Sequence, residues 1–163
     1  MTDHDWRYIG NVTLRNCHGC YLSWAPGGDC RANERNVGNE EIWMLYAKIQ
    51  NGKLTFKFAK PIPGGLTSYM SCAGDKRVNC NASFVVASEW EPIYDGSKNK
   101  WAFKCVGGDF LCNEPPSHSR SRQVLADRKA INAWETFTMD DAGGFKESFF
   151  SSISRYSTAV FPI

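Results

Sequence analysis

The sequence predicts an all-β fold built from three copies of one four-stranded unit. Short stretches of alternating apolar and polar residues are separated by Gly and Pro along the chain, a pattern typical of a sandwich or barrel. In addition, four sequence landmarks recur three times in the same order, which indicates an internal repeat. The 163 residues are enough for one such domain with its own core.

The landmarks define where each repeat lies. Each copy begins with an alternating strand, at residues 12–15, 54–57 and 101–104. An aromatic residue and a flexible apolar residue come next, as Tyr21-Leu22, Tyr69-Met70 and Phe110-Leu111. A short pair follows at residues 32–33, 80–81 and 126–127, and the last landmark is a glutamate, at Glu41, Glu91 and Glu135. The predicted domain spans residues 1–141, with repeats at about 11–52, 53–99 and 100–141.

Two of the repeats carry insertions. The first hairpin of repeat one turns at His18-Gly19, where Gly supplies the positive φ that a two-residue turn requires. Repeat two has six additional residues in a Pro- and Gly-rich segment, 59–65, which we expect to form a loop that interrupts the strand pairing. Repeat three has five additional residues in segment 113–122. Function is often carried on such insertions.

The insertion of repeat three contains His118, Arg120 and Arg122 within five residues. One interpretation is a solvated loop whose charge maintains solubility. The other is a ligand- or partner-binding site, because clustered cations attract an acidic protein surface or an anionic ligand. These three residues are therefore the predicted binding residues.

Residues 142–163 follow the third repeat and carry an apolar stripe at helical spacing, formed by Phe145, Phe149, Ile153, Tyr156 and Val160. The spacing predicts a short C-terminal helix. An exposed stripe of this kind must be covered by the chain's own barrel or by a second copy. The tail is thus predicted to dock on its own domain or to form a homodimer interface.

Seven cysteines occur in the chain, and two of them flank the first turn, in Cys17-His18-Gly19-Cys20. The polar N-terminus lacks the charged and apolar regions of a secretory signal. An odd number of cysteines then favours reduced thiols in the cytoplasm. Cys17 and Cys20 are interpreted as plain thiols or as a reversible redox pair across the turn. A metal site is disfavoured because no second motif completes four ligands.

Composition excludes several classes of function. The net charge of +2 provides no strong field for nucleic acid or an anionic membrane, and no apolar run approaches the roughly 18 residues that span a bilayer. The sequence contains no phosphate-binding loop, Gly-x-Ser-x-Gly or metalloprotease motif. No catalytic residue and no cofactor are predicted. The recurring glutamates are interpreted as structural groups that accept backbone hydrogen bonds at their own turns.

The repeated strand, the Tyr21-Leu22 type of pair, Ala32-Asn33 and residues 134–137 (Trp-Glu-Thr-Phe) resemble the β-trefoils of the fascin-like, actin-cross-linking group. The resemblance covers residues 11–141. It implies twelve strands, four in each of three pseudo-threefold repeats, arranged as a six-stranded barrel capped by three hairpins. The Gln-x-Trp signature of ricin-type trefoil lectins is absent. Fascins carry four trefoils in one chain, whereas this chain has one.

These observations predict a cytoplasmic protein that acts by binding. The fascin-like resemblance implies actin or another cytoskeletal protein as the partner. The first alternative is a carbohydrate-binding trefoil, in which up to three related pockets bind sugars through aromatic and polar side chains. The second is an enzyme whose site is built from the loop insertions and the tail, since a fold alone does not determine a function.

Overall fold

The structure is a computed structural model that describes residues 6–25, 27–62, 64–72, 76–84, 86–106, 108–114 and 124–145. These residues form twelve strands. They are β1 (Arg7–Asn16), β2 (Tyr21–Ala25), β3 (Asp29–Glu34), β4 (Trp43–Gln50), β5 (Lys53–Ile62), β6 (Leu66–Cys72), β7 (Val78–Ala82), β8 (Trp90–Asp95), β9 (Lys100–Cys105), β10 (Phe110–Cys112), β11 (Leu125–Arg128) and β12 (Phe137–Asp141). Two short 3₁₀ turns, Asn39–Glu41 and Ala133–Glu135, precede β4 and β12.

Six of the strands close into an antiparallel barrel in the order β1-β4-β5-β8-β9-β12, and β12 pairs back with β1. The other six form three hairpins, β2–β3, β6–β7 and β10–β11. The hairpins contact one another through β3 and β7 and through a bridge between Arg77 and Leu125. This arrangement is a β-trefoil, so the predicted fold class is confirmed.

The pairing register shows which residues are equivalent in the three repeats. The fourth strands begin at Trp43, Trp90 and Phe137, which are 47 residues apart and completely buried. Their partners on the first strand of the same repeat are Val12, Phe56 and Trp101. Each hairpin also carries an irregularity next to its aromatic landmark, at Tyr21, Tyr69 and Phe110. The fold therefore repeats its local distortions as well as its strands.

The glutamate landmark is correct in two repeats and wrong in the third. Glu41 and Glu135 lie in the 3₁₀ turns, two residues before Trp43 and Phe137. The equivalent place before Trp90 is occupied by Ser88, whose hydroxyl accepts a hydrogen bond from the Cys72 N–H at 2.9 Å. Glu91 lies instead within strand β8. In repeat two, the polar side chain at this place thus bonds to strand β6 rather than to its own turn.

The insertion of repeat two extends a hairpin, so the predicted interruption of the strand pairing is wrong. Strand β5 continues to Ile62, and the ladder with β6 includes Pro61 opposite Thr67 and Ile62 opposite Leu66. The pairing of β5 with β4 ends at Ala59. Beyond that point β5 is paired on one side only, where a residue without an N–H group is tolerated.

The barrel and hairpins enclose one main core. Its fully buried layers contain Leu14, Phe58, Phe103, Leu22, Met70 and Leu111, together with the three residues that begin the fourth strands. Cys80 pairs with Met70 as Ala126 pairs with Leu111. Cys80 therefore occupies in repeat two the position that a small apolar side chain occupies in repeat three, and a free cysteine behaves there as a small apolar group.

The described start of the tail runs beside β1. The Asn11 N–H donates to the Gly143 carbonyl at 2.7 Å, and the Ala142 N–H donates to the Asn11 carbonyl at 2.8 Å. Phe145 packs against the core at Gly10, where a Cβ atom would approach its ring to 2.5 Å. The predicted C-terminal helix is not present at residues 142–145. Its remaining residues, 146–163, lie outside the described residues. In the described part of the chain, no helix is long and apolar enough to cross a membrane.

Candidate functional site

The predicted binding residues His118, Arg120 and Arg122 lie outside the described residues. Their role as a binding site therefore stays a prediction. The described part of the insertion contains Asn113 and Glu114, both buried. Glu114 forms an ion pair with Arg128, so this end of the insertion is fixed to β11.

Cys17 and Cys20 flank a turn that is organised by Asn16. The Asn16 side-chain oxygen accepts hydrogen bonds from the His18 and Cys20 N–H groups, both at 2.9 Å, and Gly19 has the positive φ expected for this turn. Cys17 is exposed, Cys20 is buried, and both thiols are free. Burial raises the pKa of the Cys17 thiol, which does not favour a reactive thiolate. Their pairing as a redox couple stays a prediction.

Three clefts lie at equivalent positions around the barrel, one associated with each repeat. The residue just before the fourth strand lines each cleft; it is Ile42 in repeat one, Glu89 in repeat two and Thr136 in repeat three. The residues below are given in the same order of repeats. A second is Asn11, Thr55 or Lys100, on the first strand of the same repeat. A third is Pro61, Val106 or Cys17, from the following repeat. We call them the repeat-one, repeat-two and repeat-three clefts; their volumes are about 500, 350 and 660 Å³.

The repeat-one cleft presents an aromatic surface. Tyr8 is 47 % exposed, and Trp24 and Met44 lie beside it in the lining. The Tyr8 ring is held edge-on against Tyr46, with a centroid distance of 5.6 Å, and its hydroxyl donates to the Asn11 side-chain oxygen at 2.8 Å. The ring is therefore positioned before any ligand arrives.

Two polar residues of the repeat-one cleft, Asn39 and Glu40, come from the first 3₁₀ turn, and Asn11 and Lys60 come from strands β1 and β5. Lys60 fixes this turn, because its ammonium group donates to the Asn39 carbonyl and, at 2.6 Å, to the Ile42 carbonyl. Burial lowers the pKa of Lys60. Glu41 fixes the other end of the turn by accepting the Gly38 N–H at 2.6 Å. The cleft thus combines an aromatic surface with a rigid polar edge.

Charged side chains of opposite sign meet in the repeat-two cleft. The Lys48 ammonium lies 3.6 Å from the Glu89 carboxylate, and Lys53 lies 3.6 Å from Glu91. Lys48 also lies 5.0 Å from the centre of the Trp6 ring. No aromatic residue is among the lining residues of this cleft that the structure describes. Both lysines of the lining are thus paired with a glutamate, of which Glu89 lines the cleft and Glu91 does not.

The repeat-three cleft has an apolar floor and a basic edge. Ile93, Ala102 and Ile131 are among its apolar lining residues, and Lys98 and Lys100 bring positive charge. The Lys100 ammonium donates to the Thr138 hydroxyl at 2.9 Å. Cys17 lines the same cleft, so the exposed cysteine of the first turn borders a cavity.

The carbohydrate-binding alternative implies up to three related pockets, but the sequence did not give the residues that line them. The reason is the register of repeat two. The sequence landmarks align residues 12–15, 54–57 and 101–104, so they make Phe56 the equivalent of Leu14 and Phe103, which is two residues away from the observed equivalent. The observed equivalent is Phe58 rather than Phe56. The signal that identifies the clefts is the constant spacing of Trp43, Trp90 and Phe137, because the lining positions are counted from these residues.

Comparison with known proteins agrees with the fold. No protein-family model matches the sequence, and no curated protein matches it. Among solved structures, the chain is similar to the designed threefold-symmetric protein ThreeFoil, with 14 % identity, a TM-score of 0.61, and coverage of 81 % of this chain and 99 % of that one. SeviL bound to the asialo-GM1 saccharide matches with 14 % identity and a TM-score of 0.60, covering 82 % and 98 % of the two chains.

The Haemophilus ducreyi cytolethal distending toxin matches with 15 % identity and a TM-score of 0.62, covering 85 % of this chain and 87 % of that one. Together with the closed barrel and three hairpins, these similarities define the protein as a β-trefoil protein. They do not extend to the specific fascin-like group.

Proposed function

We propose that this protein binds a carbohydrate in the repeat-one cleft, without catalysing a reaction on it. The observation that carries the proposal is the exposed and fixed ring of Tyr8 beside Asn11, Asn39 and Glu40. A sugar ring has one face of C–H groups and an edge of hydroxyl groups. The aromatic ring suits the first, and amide and carboxylate groups suit the second.

Rigidity of the cleft supports the proposal, because a preformed site loses little entropy on binding. Lys60 and Glu41 hold both ends of the 3₁₀ turn, and Tyr46 holds Tyr8. The similarity to SeviL, a structure with a bound saccharide, is consistent with the same class of ligand. At 14 % identity this similarity concerns the fold, so the proposal rests on the cleft.

A glycan array with the intact chain tests the proposal, followed by Kd measurement for the strongest glycan. Tyr8→Ala should weaken binding by about tenfold or more, since the aromatic surface is removed. The matched control is Val106→Ala, which truncates a side chain that is 53 % exposed in the repeat-two cleft. Absence of any glycan ligand, or equal Kd values for the Tyr8→Ala variant and the wild type, contradicts the proposal.

The fascin-like resemblance leads to a different partner, actin or another cytoskeletal protein in the cytoplasm. That hypothesis depends on His118, Arg120 and Arg122, and a homodimer depends on the tail. Cosedimentation with filamentous actin tests it, and changing Arg120 and Arg122 to Ser should weaken an association that depends on charge. A catalytic site built from the insertions and tail also remains a hypothesis.

A further inference from the structure

We propose that the repeat-three cleft is a second binding site, with a preference for an acidic sugar that carries a carboxylate or a sulfate. This inference adopts the class of ligand proposed above but concerns a different cleft and different residues. The fold places the three equivalent clefts in three different chemical environments.

The pairing of the charges, rather than their number, distinguishes the repeat-three cleft from the repeat-two cleft, since each lining contains two lysines and one carboxylate. Lys98 and Lys100 face one lining carboxylate, that of Asp95. Asp95 accepts hydrogen bonds from the Ser97 N–H at 3.0 Å and the Ser97 hydroxyl at 2.7 Å. The bond from the Ser97 hydroxyl contributes most to lowering the pKa of Asp95, and the charge of Lys98 contributes less. In the repeat-two cleft, by contrast, Lys48 and Lys53 each have a glutamate partner at 3.6 Å.

Lys100 is the better positioned of the two cations. It is half-buried, and its ammonium is held by the Thr138 hydroxyl at 2.9 Å. An ammonium group has three N–H donors, and this contact uses one of them. Lys98 is exposed on the turn that follows β8. Both side chains line the cleft, and Lys100, which Thr138 already holds, needs little reorganisation to contact an anionic group.

The rest of the lining matches the body of a sugar. Ile131 is 41 % exposed, and with Ile93 and Ala102 it provides an apolar surface for the C–H face of a ring. Asn132 and Thr136 add neutral polar groups to the lining. At about 660 Å³ the cleft is larger than the repeat-one cleft, and its volume lies within the usual range for small-ligand sites.

Cys17 supplies a native reporter of occupancy, because its exposed thiol lines this cleft. Methyl glucuronide, glucose 6-sulfate and the neutral methyl glucoside are the probes. Either acidic sugar should slow alkylation of Cys17 by iodoacetamide, followed by peptide mass spectrometry, whereas methyl glucoside should not. The first two probes separate recognition of a carboxylate from recognition of a sulfate. If neither acidic sugar protects Cys17, the proposal is overturned.

Titration by NMR provides the second measurement. Lys98→Gln should weaken binding of the protecting sugar by about threefold, and added salt should reduce the difference, since exposed charges are screened. The matched control is Lys53→Gln, at the equivalent position in the repeat-two cleft. An unchanged Kd in Lys98→Gln overturns the proposal, as does an equal loss in Lys53→Gln.

Lys100→Gln should weaken binding more than Lys98→Gln, and its melting temperature is measured alongside because the Thr138 contact is also lost. The Tyr8→Ala variant separates this inference from the proposed function. It should lose the glycan of the repeat-one cleft and retain the acidic sugar. Loss of both ligands in Tyr8→Ala contradicts the assignment of the acidic sugar to the repeat-three cleft.

Discussion

Glutamate recurs in this sequence because one side chain can complete a turn. The Glu41 carboxylate accepts the Gly38 N–H at 2.6 Å, and the Glu135 carboxylate accepts the Asn132 N–H at 2.7 Å. Both glutamates are buried. A buried backbone N–H without an acceptor is costly, and a charged acceptor makes the hydrogen bond stronger. The role is structural, as the sequence indicated for these two residues.

Glu135→Gln should lower the free energy of unfolding by about 1–3 kcal/mol, because the hydrogen bond to Asn132 loses its charged acceptor. Glu91→Gln is the control: Glu91 belongs to strand β8, and its ion pair with Lys53 is partly exposed, so its effect should stay within about 0.5 kcal/mol. Urea denaturation measures both variants. A loss of stability in Glu91→Gln as large as in Glu135→Gln contradicts this difference.

Asp109 is expected to make the stability of the fold depend on pH in acid. Its buried carboxylate lies 2.5 Å from the Lys129 ammonium and 3.6 Å from that of Lys76. The hydrogen bond from Lys129 contributes most to lowering the pKa of Asp109 below its ordinary value of 3.8. Because the pKa of Asp109 is lower in the folded protein than in the unfolded chain, its ionised carboxylate stabilises the fold at a pH above its ordinary pKa. This stabilisation is lost as the pH falls through the pKa of the folded protein.

Asp109→Asn should therefore be less stable than the wild type near neutral pH. The difference should narrow as the solution is acidified from about pH 6 to about pH 2, because the wild-type carboxylate then becomes protonated. Thermal unfolding of both proteins across this range measures the effect. A constant difference across the whole range is the outcome that contradicts an ionic role for Asp109.

At the scale of elements, the extension of the β5–β6 hairpin makes the repeat-one cleft different from the two other clefts, because it adds lining residues to this cleft. Pro61 lies on this extension and lines the repeat-one cleft, while Lys60 at its base holds the 3₁₀ turn. Replacing residues 61–67 by Asn-Gly joins Lys60 to Ser68 through a two-residue turn. The barrel strands below Lys60 are unchanged by this replacement.

The shortened hairpin should therefore remain folded, with the circular dichroism spectrum of the wild type, and should lose glycan binding. Binding to an array and a thermal melt are the two measurements. A variant that fails to fold shows that the extension supports the barrel, and a variant that folds and still binds shows that Pro61 is not part of the site.

Element type was predictable here, and element register was not. Alternating residues predict a strand, but a shift of two residues leaves the same side chains on the same face. For that reason Phe56 was an acceptable equivalent of Leu14, although Phe58 is the observed one. The extension of the β5–β6 hairpin could not be predicted, because Pro and Gly near residue 61 are typical of a loop. Pairing of the end of β5 on one side only depends on the tertiary structure, which the local sequence does not show. The clefts depend on register, so their residues could not be assigned.

At the scale of the whole molecule, near-symmetry of the backbone coexists with asymmetry of chemistry. The three clefts share their positions, yet one is aromatic, one is occupied by ion pairs, and one is basic. Core residues repeat because the barrel layers must be filled in each third of the fold. Surface residues carry no such constraint. A single chain of this kind can therefore present different binding preferences on different sides.

Closure of the barrel by strand pairing implies that the covalent link between repeats one and two can be cut without loss of the fold. The turn at Asn51 and Gly52 joins β4 to β5, whose ladder alone contains seven residue pairs, and β1 remains paired with β12 on the other side. Fragments 1–51 and 52–163 should therefore be unstructured alone and should reassemble as a one-to-one complex when mixed. Titration followed by tryptophan fluorescence measures the reassembly, and Trp43→Ala in the short fragment should abolish it. The protein would then serve as a split reporter in which the proposed saccharide binding returns only when two attached partners meet.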